Sequence, residues 1–170
     1  MEMQVQFYKA GDGRLCGWVA SPPKRRSFQG STMAAGRDLP HDLTQFVIER
    51  ELGIRDGFWG LLAHGAWFTS VPGRRPSRPG RALARAHHEA LAAVESLVNT
   101  HYFAWRRGEP TLLGPALEAM HARWRALADG ERLVLQWPVR RLPDEQLQSR
   151  TTRNCSERSA RSRRSLGAGR

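Results

Sequence analysis

Residues 38–70 read DLPHDLTQFVIERELGIRDGFWGLLAHGAWFTS, and this stretch decides the fold. Leu43, Phe46, Val47 and Leu52 recur at helical spacing, and Ile48 widens the stripe, which predicts a helix from Leu39 or Pro40 to Leu52. Pro40 suits the first turn because an N–H there has no intrahelical partner. Asp38 and Asp42 place negative charge near the positive end of the helix dipole. Gly53 is a natural stop. Asp56 then reads as the N-cap of a second helix, from Gly57 to about His64, closed by Gly65. Phe58, Trp59, Leu61, Leu62, Trp67 and Phe68 leave that segment apolar almost all round, so it belongs inside the protein.

Toward the N-terminus, Val5 to Tyr8 alternates, Gly11-Asp12-Gly13 signals a turn, and Leu15 to Ala20 reads as the returning strand of a hairpin. Pro22-Pro23 ends that strand, and Lys24 to Gly36 reads as a polar loop. Toward the C-terminus, Val71 to Gly80 is a Pro-, Gly- and Arg-rich loop. A long helix is expected from about Arg81 to Arg106, with Leu83, His87, Ala90, Val94, Leu97, His101 and Trp105 on its inner face. Gly114-Pro115 opens a last helix with Leu117, Met120, His121, Trp124 and Leu127 inward. Glu131 to Trp137 alternates as a final strand. The expected fold is therefore α+β and helix-dominated: four helices packed on a small antiparallel sheet made of the N-terminal hairpin and the C-terminal strand.

The chain has 170 residues and is 40% hydrophobic, enough for one domain with a substantial core. That domain is expected over residues 1–143. Residues 144–170 lose all periodicity and read as a disordered Arg/Ser-rich tail. No segment reaches the ~20 apolar residues of a bilayer span. The opening MEMQVQFYK alternates and carries Glu2, unlike a signal peptide. Cys16 and Cys155 form neither a disulfide framework nor a metal-spaced set, which fits a reducing cytoplasm.

The net charge of +11 invites a nucleic-acid reading, but its distribution weakens it. Nine arginines against Asp144, Glu145 and Glu157 place +6 from Val139 onward and leave +5 for residues 1–138. Lys9 and Lys24 are the only lysines, and a GC-rich coding sequence offers a compositional origin for so much arginine. Charge alone gives only non-specific attraction to phosphate.

Three groups of residues could carry chemistry. His41-Asp42-x-x-Gln45 lies near the zinc-protease pattern H-E-x-x-H, which works because two imidazoles four residues apart share a helix face. Here Gln45 replaces the second histidine and Asp42 the glutamate, so His41 remains a weak metal candidate. Glu49, two turns further on, and His64 complete a candidate pocket of His41, Glu49 and His64. His87, His101 and His121 sit on apolar faces, where a histidine usually satisfies a carbonyl or packs at the core edge. Arg74, Arg75 and Arg78 are anion-binding candidates, because guanidinium forks suit phosphate and carboxylate. No nucleophile elbow occurs, Gly11-Asp12-Gly13 is not a phosphate loop, and mid-strand Cys16 reads as a buried thiol.

The segment LPHDLTQFVIERELGIRDGFWG resembles a pattern of small bacterial proteins, mainly from GC-rich actinobacteria: a short hairpin, a Leu-Pro-His-Asp-Leu helix start, a Val/Ile-Glu helix and a Gly-Phe/Trp segment. The likeness covers Val5 to Ser70 and extends in weaker form to Trp137, leaving out the tail. It implies this fold and a bacterial cytoplasm, and brings no activity with it. The sequence thus points first to a non-catalytic binding or protein-interaction module, pairing with a protein partner or with itself, with no cofactor and no membrane. The alternative is a small metal-dependent enzyme using His41, Glu49 and His64. A third reading is non-specific nucleic-acid binding through the tail.

Overall fold

Alternation in the first strand sends Met3, Val5 and Phe7 to one face of the sheet and Gln4, Gln6 and Tyr8 to the other, as a side-chain period of two requires. In the computed structural model, which describes residues 2–35, 38–140 and 142, all three apolar side chains are fully buried. Strand β1 (Glu2–Ala10) is central. It pairs antiparallel with β2 (Leu15–Ser21) on one side and with the C-terminal strand (Arg132–Pro138) on the other. The register sets Phe7 opposite both Trp18 and Leu133, and Met3 opposite Trp137, so one face of three strands is continuous and apolar. The hairpin turn needs left-handed backbone at Gly11, Asp12 and Gly13, with φ of 57°, 55° and 80°.

The loop expected from Lys24 to Gly36 carries two further short strands. β3 (Phe28–Gln29) and β4 (Met33–Ala34) both pair with β2. The cause is the free edge of β2, whose unpaired backbone groups recruit whatever chain passes beside them. Phe28 then covers the edge of the Trp18 ring at 6.1 Å. The last strand is accordingly β5, and the sheet runs β3-β2-β1-β5 with β4 on β2.

Helix α1 (His41–Glu51) begins just after Pro40, whose carbonyl accepts from the Thr44 backbone N–H at 2.9 Å. It buries Leu43, Phe46, Val47 and Ile48 against the apolar sheet face. Helix α2 (Phe58–His64) follows and ends at Gly65, where φ is 105°. Trp59 is the centre of the core. Its ring meets Phe7, Trp18, Phe46 and Phe58 edge-on, with centroids 4.9–5.6 Å apart. That is the arrangement ring quadrupoles favour.

The single long helix expected from Arg81 to Arg106 is two helices, α3 (Arg78–Ala86) and α4 (His88–Arg106), broken at His87. They answer to different anchors. Ser77 caps α3 by accepting from Gly80 N at 3.0 Å, and Gly80 O accepts from Trp67 N at 3.0 Å, so α3 is tied to the chain leaving α2. α4 instead lays Val94 and Val98 on the core and packs on α1. Residue 87 sits between the two and is buried. Helix α5 (Gly114–Ala126) buries Leu117, Met120 and Trp124, also against α1. Lys9 closes its end by donating to Leu127 O at 2.7 Å.

Among the described residues, five helices packed on one antiparallel sheet give an α+β fold. Among the described residues no helix is long and apolar enough to cross a membrane. The Arg/Ser-rich stretch 144–170, with Cys155, lies outside the described residues.

Candidate functional site

The first turn of α1 carries His41 and Asp42, and the next turn carries Gln45. Residues three and four apart share a helix face, so these side chains line up along one flank. α4 brings Glu95 to the same place. Gln45 is almost fully buried, and its amide nitrogen donates both to Glu95 Oε1 at 2.7 Å and to Glu49 Oε1 at 2.8 Å. One NH₂ group therefore joins two carboxyls from different helices. This replaces the metal-ligand role that the zinc-protease spacing would have required of position 45.

Asp42 is the second junction. Its Oδ2 accepts the Trp18 indole N–H at 2.7 Å, and its backbone carbonyl accepts the Trp59 indole N–H at 3.1 Å. Trp18 and Trp59 thus both end on one residue, and each satisfies the polar atom that a buried indole must satisfy. Asp42 Oδ1 faces His41 Nδ1 at 3.4 Å, while His41 Nε2 lies 3.8 Å from Glu95 Oε2. The hydrogen bond to Asp42 holds the His41 pKa above its usual range. Replacing Asp42 with alanine is expected to cost about 1–3 kcal/mol, because the buried Trp18 N–H loses its acceptor. Asp42→Asn, which keeps a side-chain oxygen, is expected to recover most of that in urea melts. Equal losses in the two variants would show that charge, not the indole bond, is what matters.

These groups line a cleft of about 350 Å³, near the lower end of the ~300–1,000 Å³ of small-molecule sites. Its polar lining is His41, Asp42, Gln45 and Glu95, and its apolar lining Met33, Phe58, Phe68 and Leu91, the last one turn before Glu95 on α4. Ser31, Thr32 and Ser70 complete the lining. The short strand β4, which supplies Met33, exists only because β2 had an open edge.

Of the candidate pocket, only His41 lines this cleft. Glu49 is fully buried behind it and caps α2. Its Oε1 accepts Phe58 N at 2.9 Å and its Oε2 accepts Trp59 N at 3.1 Å. Burial pushes the Glu49 carboxyl up to about 8, against the pull of those donors and Gln45. Asp56, expected as the cap, makes no side-chain cap bond, and Gly57 holds the N-cap position. His64 is at the far end of α2, with Nδ1 2.9 Å from Gly60 O. Among the described residues no three His, Cys, Asp or Glu side chains are grouped to hold a metal ion.

The other candidates separate by burial. Arg74 is half-buried, donates to Leu62 O at 2.8 Å and stacks on Phe28, its guanidinium 4.4 Å from the ring centre. Burial, and Arg25 nearby, lower its pKa to about 10. It closes the C-terminal end of α2, whereas Arg75 and Arg78 are exposed. His121 packs edge-on against Trp105 at 5.4 Å, and His101 is half-buried on α4. Cys16 is fully buried, and burial raises its thiol to about 12, so it is inert as a nucleophile.

Glu95 and Trp18 were missed as site residues. Glu95 did leave a signal, an acid one turn beyond Leu91 and beside Val94, at the margin of an apolar stripe. Trp18 left none, because its partner is distant in sequence. No family model, curated protein or solved structure matches the chain.

Proposed function

We propose that the protein is a non-catalytic binding module, and that the cleft between α1, α4 and the segments at 31–33 and 68–70 is its ligand site. One observation carries the reading: polar side chains fixed to the core and apolar side chains together line a space of ligand size. The polar groups are already committed to one another. Trp18 and His41 hold Asp42, and Gln45 holds Glu95. Such a lining is pre-organised, so a ligand meets fixed acceptors without first ordering them. The same commitments argue against a base free to take a proton.

The test is a fragment screen on the full chain, read by NMR at the Trp18 indole and the Gln45 amide. Hits are expected to shift both signals. Ser70→Trp, which fills the cleft from its rim, is expected to abolish them. Hits that leave both signals unmoved, or that survive Ser70→Trp, would sink the reading.

A further inference from the structure

We propose that the cleft selects an organic monocation, an ammonium or guanidinium group on an apolar body. The inference rests on the cleft being a ligand site and names what it takes. The chain carries a formal charge of +11, yet the charged residues lining the cleft are Asp42, Glu95 and His41, with no lysine or arginine among the described residues there. In so basic a protein, a small cavity walled by two carboxylates is a local inversion of sign. An anion entering it would face both carboxylates at close range. A neutral ligand would desolvate them with no charge of its own to offset the cost.

Acceptor capacity remains on both acids. Glu95 Oε1 takes the Gln45 donor, but Oε2 has the His41 ring nitrogen Nε2 near it at 3.8 Å, beyond hydrogen-bond distance. Asp42 Oδ1 meets His41 only at 3.4 Å. A carboxylate oxygen accepts two hydrogen bonds, so an ammonium can bind between the acids without displacing Trp18 or Gln45. Charge-assisted bonds of this kind are roughly twice as strong as neutral ones.

The apolar part of the lining suits the rest of such a ligand. Phe58 and Phe68 lie with ring centroids 5.3 Å apart and planes tilted by 34°. Ring faces attract cations and bury alkyl or aryl groups equally well. Met33 and Leu91 add polarisable and aliphatic surface to the lining. The charged groups that bear on the cleft are those of α1 and α4, because the 31–33 and 68–70 segments contribute neutral side chains.

Three probes of one shape decide it: phenethylamine, 2-phenylethanol and 3-phenylpropanoate, titrated into the full chain with Trp18 indole shifts and calorimetry as readouts. The amine is expected to bind at least about tenfold tighter than the alcohol, and the acid not to bind. Glu95→Gln keeps an oxygen for Gln45 but removes one of the two carboxylates, and is expected to cut the amine's advantage over the alcohol several-fold. Equal binding of amine and alcohol, preference for the acid, or an advantage undiminished by Glu95→Gln overturns the cation inference and leaves the cleft a ligand site. Failure of all three probes to move the Trp18 indole overturns both.

Discussion

Replacing Glu49 with alanine is expected to destabilise the protein by about 3–5 kcal/mol, because a fully buried hydrogen-bond hub is lost. Three donors would be orphaned at once: Phe58 N, Trp59 N and one of the two bonds of the Gln45 amide. Each unsatisfied buried donor costs about 1–3 kcal/mol, and removing the side chain also opens a cavity. Relief of the desolvation penalty offsets part of this, since burial has already pushed the carboxyl up to about 8. That raised value fixes the pH dependence. The folded protein holds the Glu49 proton more tightly than the unfolded chain, where the ordinary value is 4.5. Its stabilising contribution is therefore complete below 4.5 and is lost as pH rises through about 8. Glu49→Gln cannot titrate, so its stability curve is expected to lack this decline, and its deficit relative to the parent should shrink toward alkaline pH. Denaturation midpoints across that window measure it. A deficit constant with pH would mean that Glu49 titrates alike folded and unfolded.

The architecture was legible where periodicity was strong. The apolar phase of α1, the hairpin and the alternation of β5 follow from residues within one element. What escaped depends on contacts between elements. β3 and β4 are two residues each and take their conformation from the open edge of β2, not from any pattern of their own. The break at His87 reflects two anchors, one local at Ser77 and one distant on α1. Ser77-Arg78-Pro79 did carry a capping signal, since serine before a proline-bearing first turn marks a helix start.

The site was half legible for the same reason. His41, Asp42, Gln45 and Glu49 fall on adjoining turns of one face, so the sequence could group them. Their roles depended on partners elsewhere in the chain. Glu49 sits beside Arg50 and Glu51 and resembles a surface acid, but it shares a face with buried Phe46 and reaches the backbone nine and ten residues further on. Asp42 serves the helix dipole, as its position suggested, and also receives two indoles from other elements. A polar residue in a buried phase is a better pointer to such a site than any motif here, because it must find its partners inside the fold.

Gly60→Ala is expected to cost about 3 kcal/mol, the upper end of overpacking, although alanine in a helix interior is normally worth about 1 kcal/mol over glycine. Position 60 lies inside α2, and a Cβ there would stand 2.0 Å from Arg55 O and 2.6 Å from Arg55 C. The obstacle is backbone, so no rotamer change relieves it. Either α2 lifts away or the turn before it moves, and both carry Phe58 and Trp59 off the Glu49 carboxyl. Phe58 also lines the cleft, so the variant is expected to disturb the apolar lining as well as the core. Urea melts at constant slope give the stability loss, and near-ultraviolet circular dichroism reports the displaced Trp59 cluster. If Gly60→Ala is as stable as the parent, the close approach of α2 to Arg55 is not a constraint on this fold.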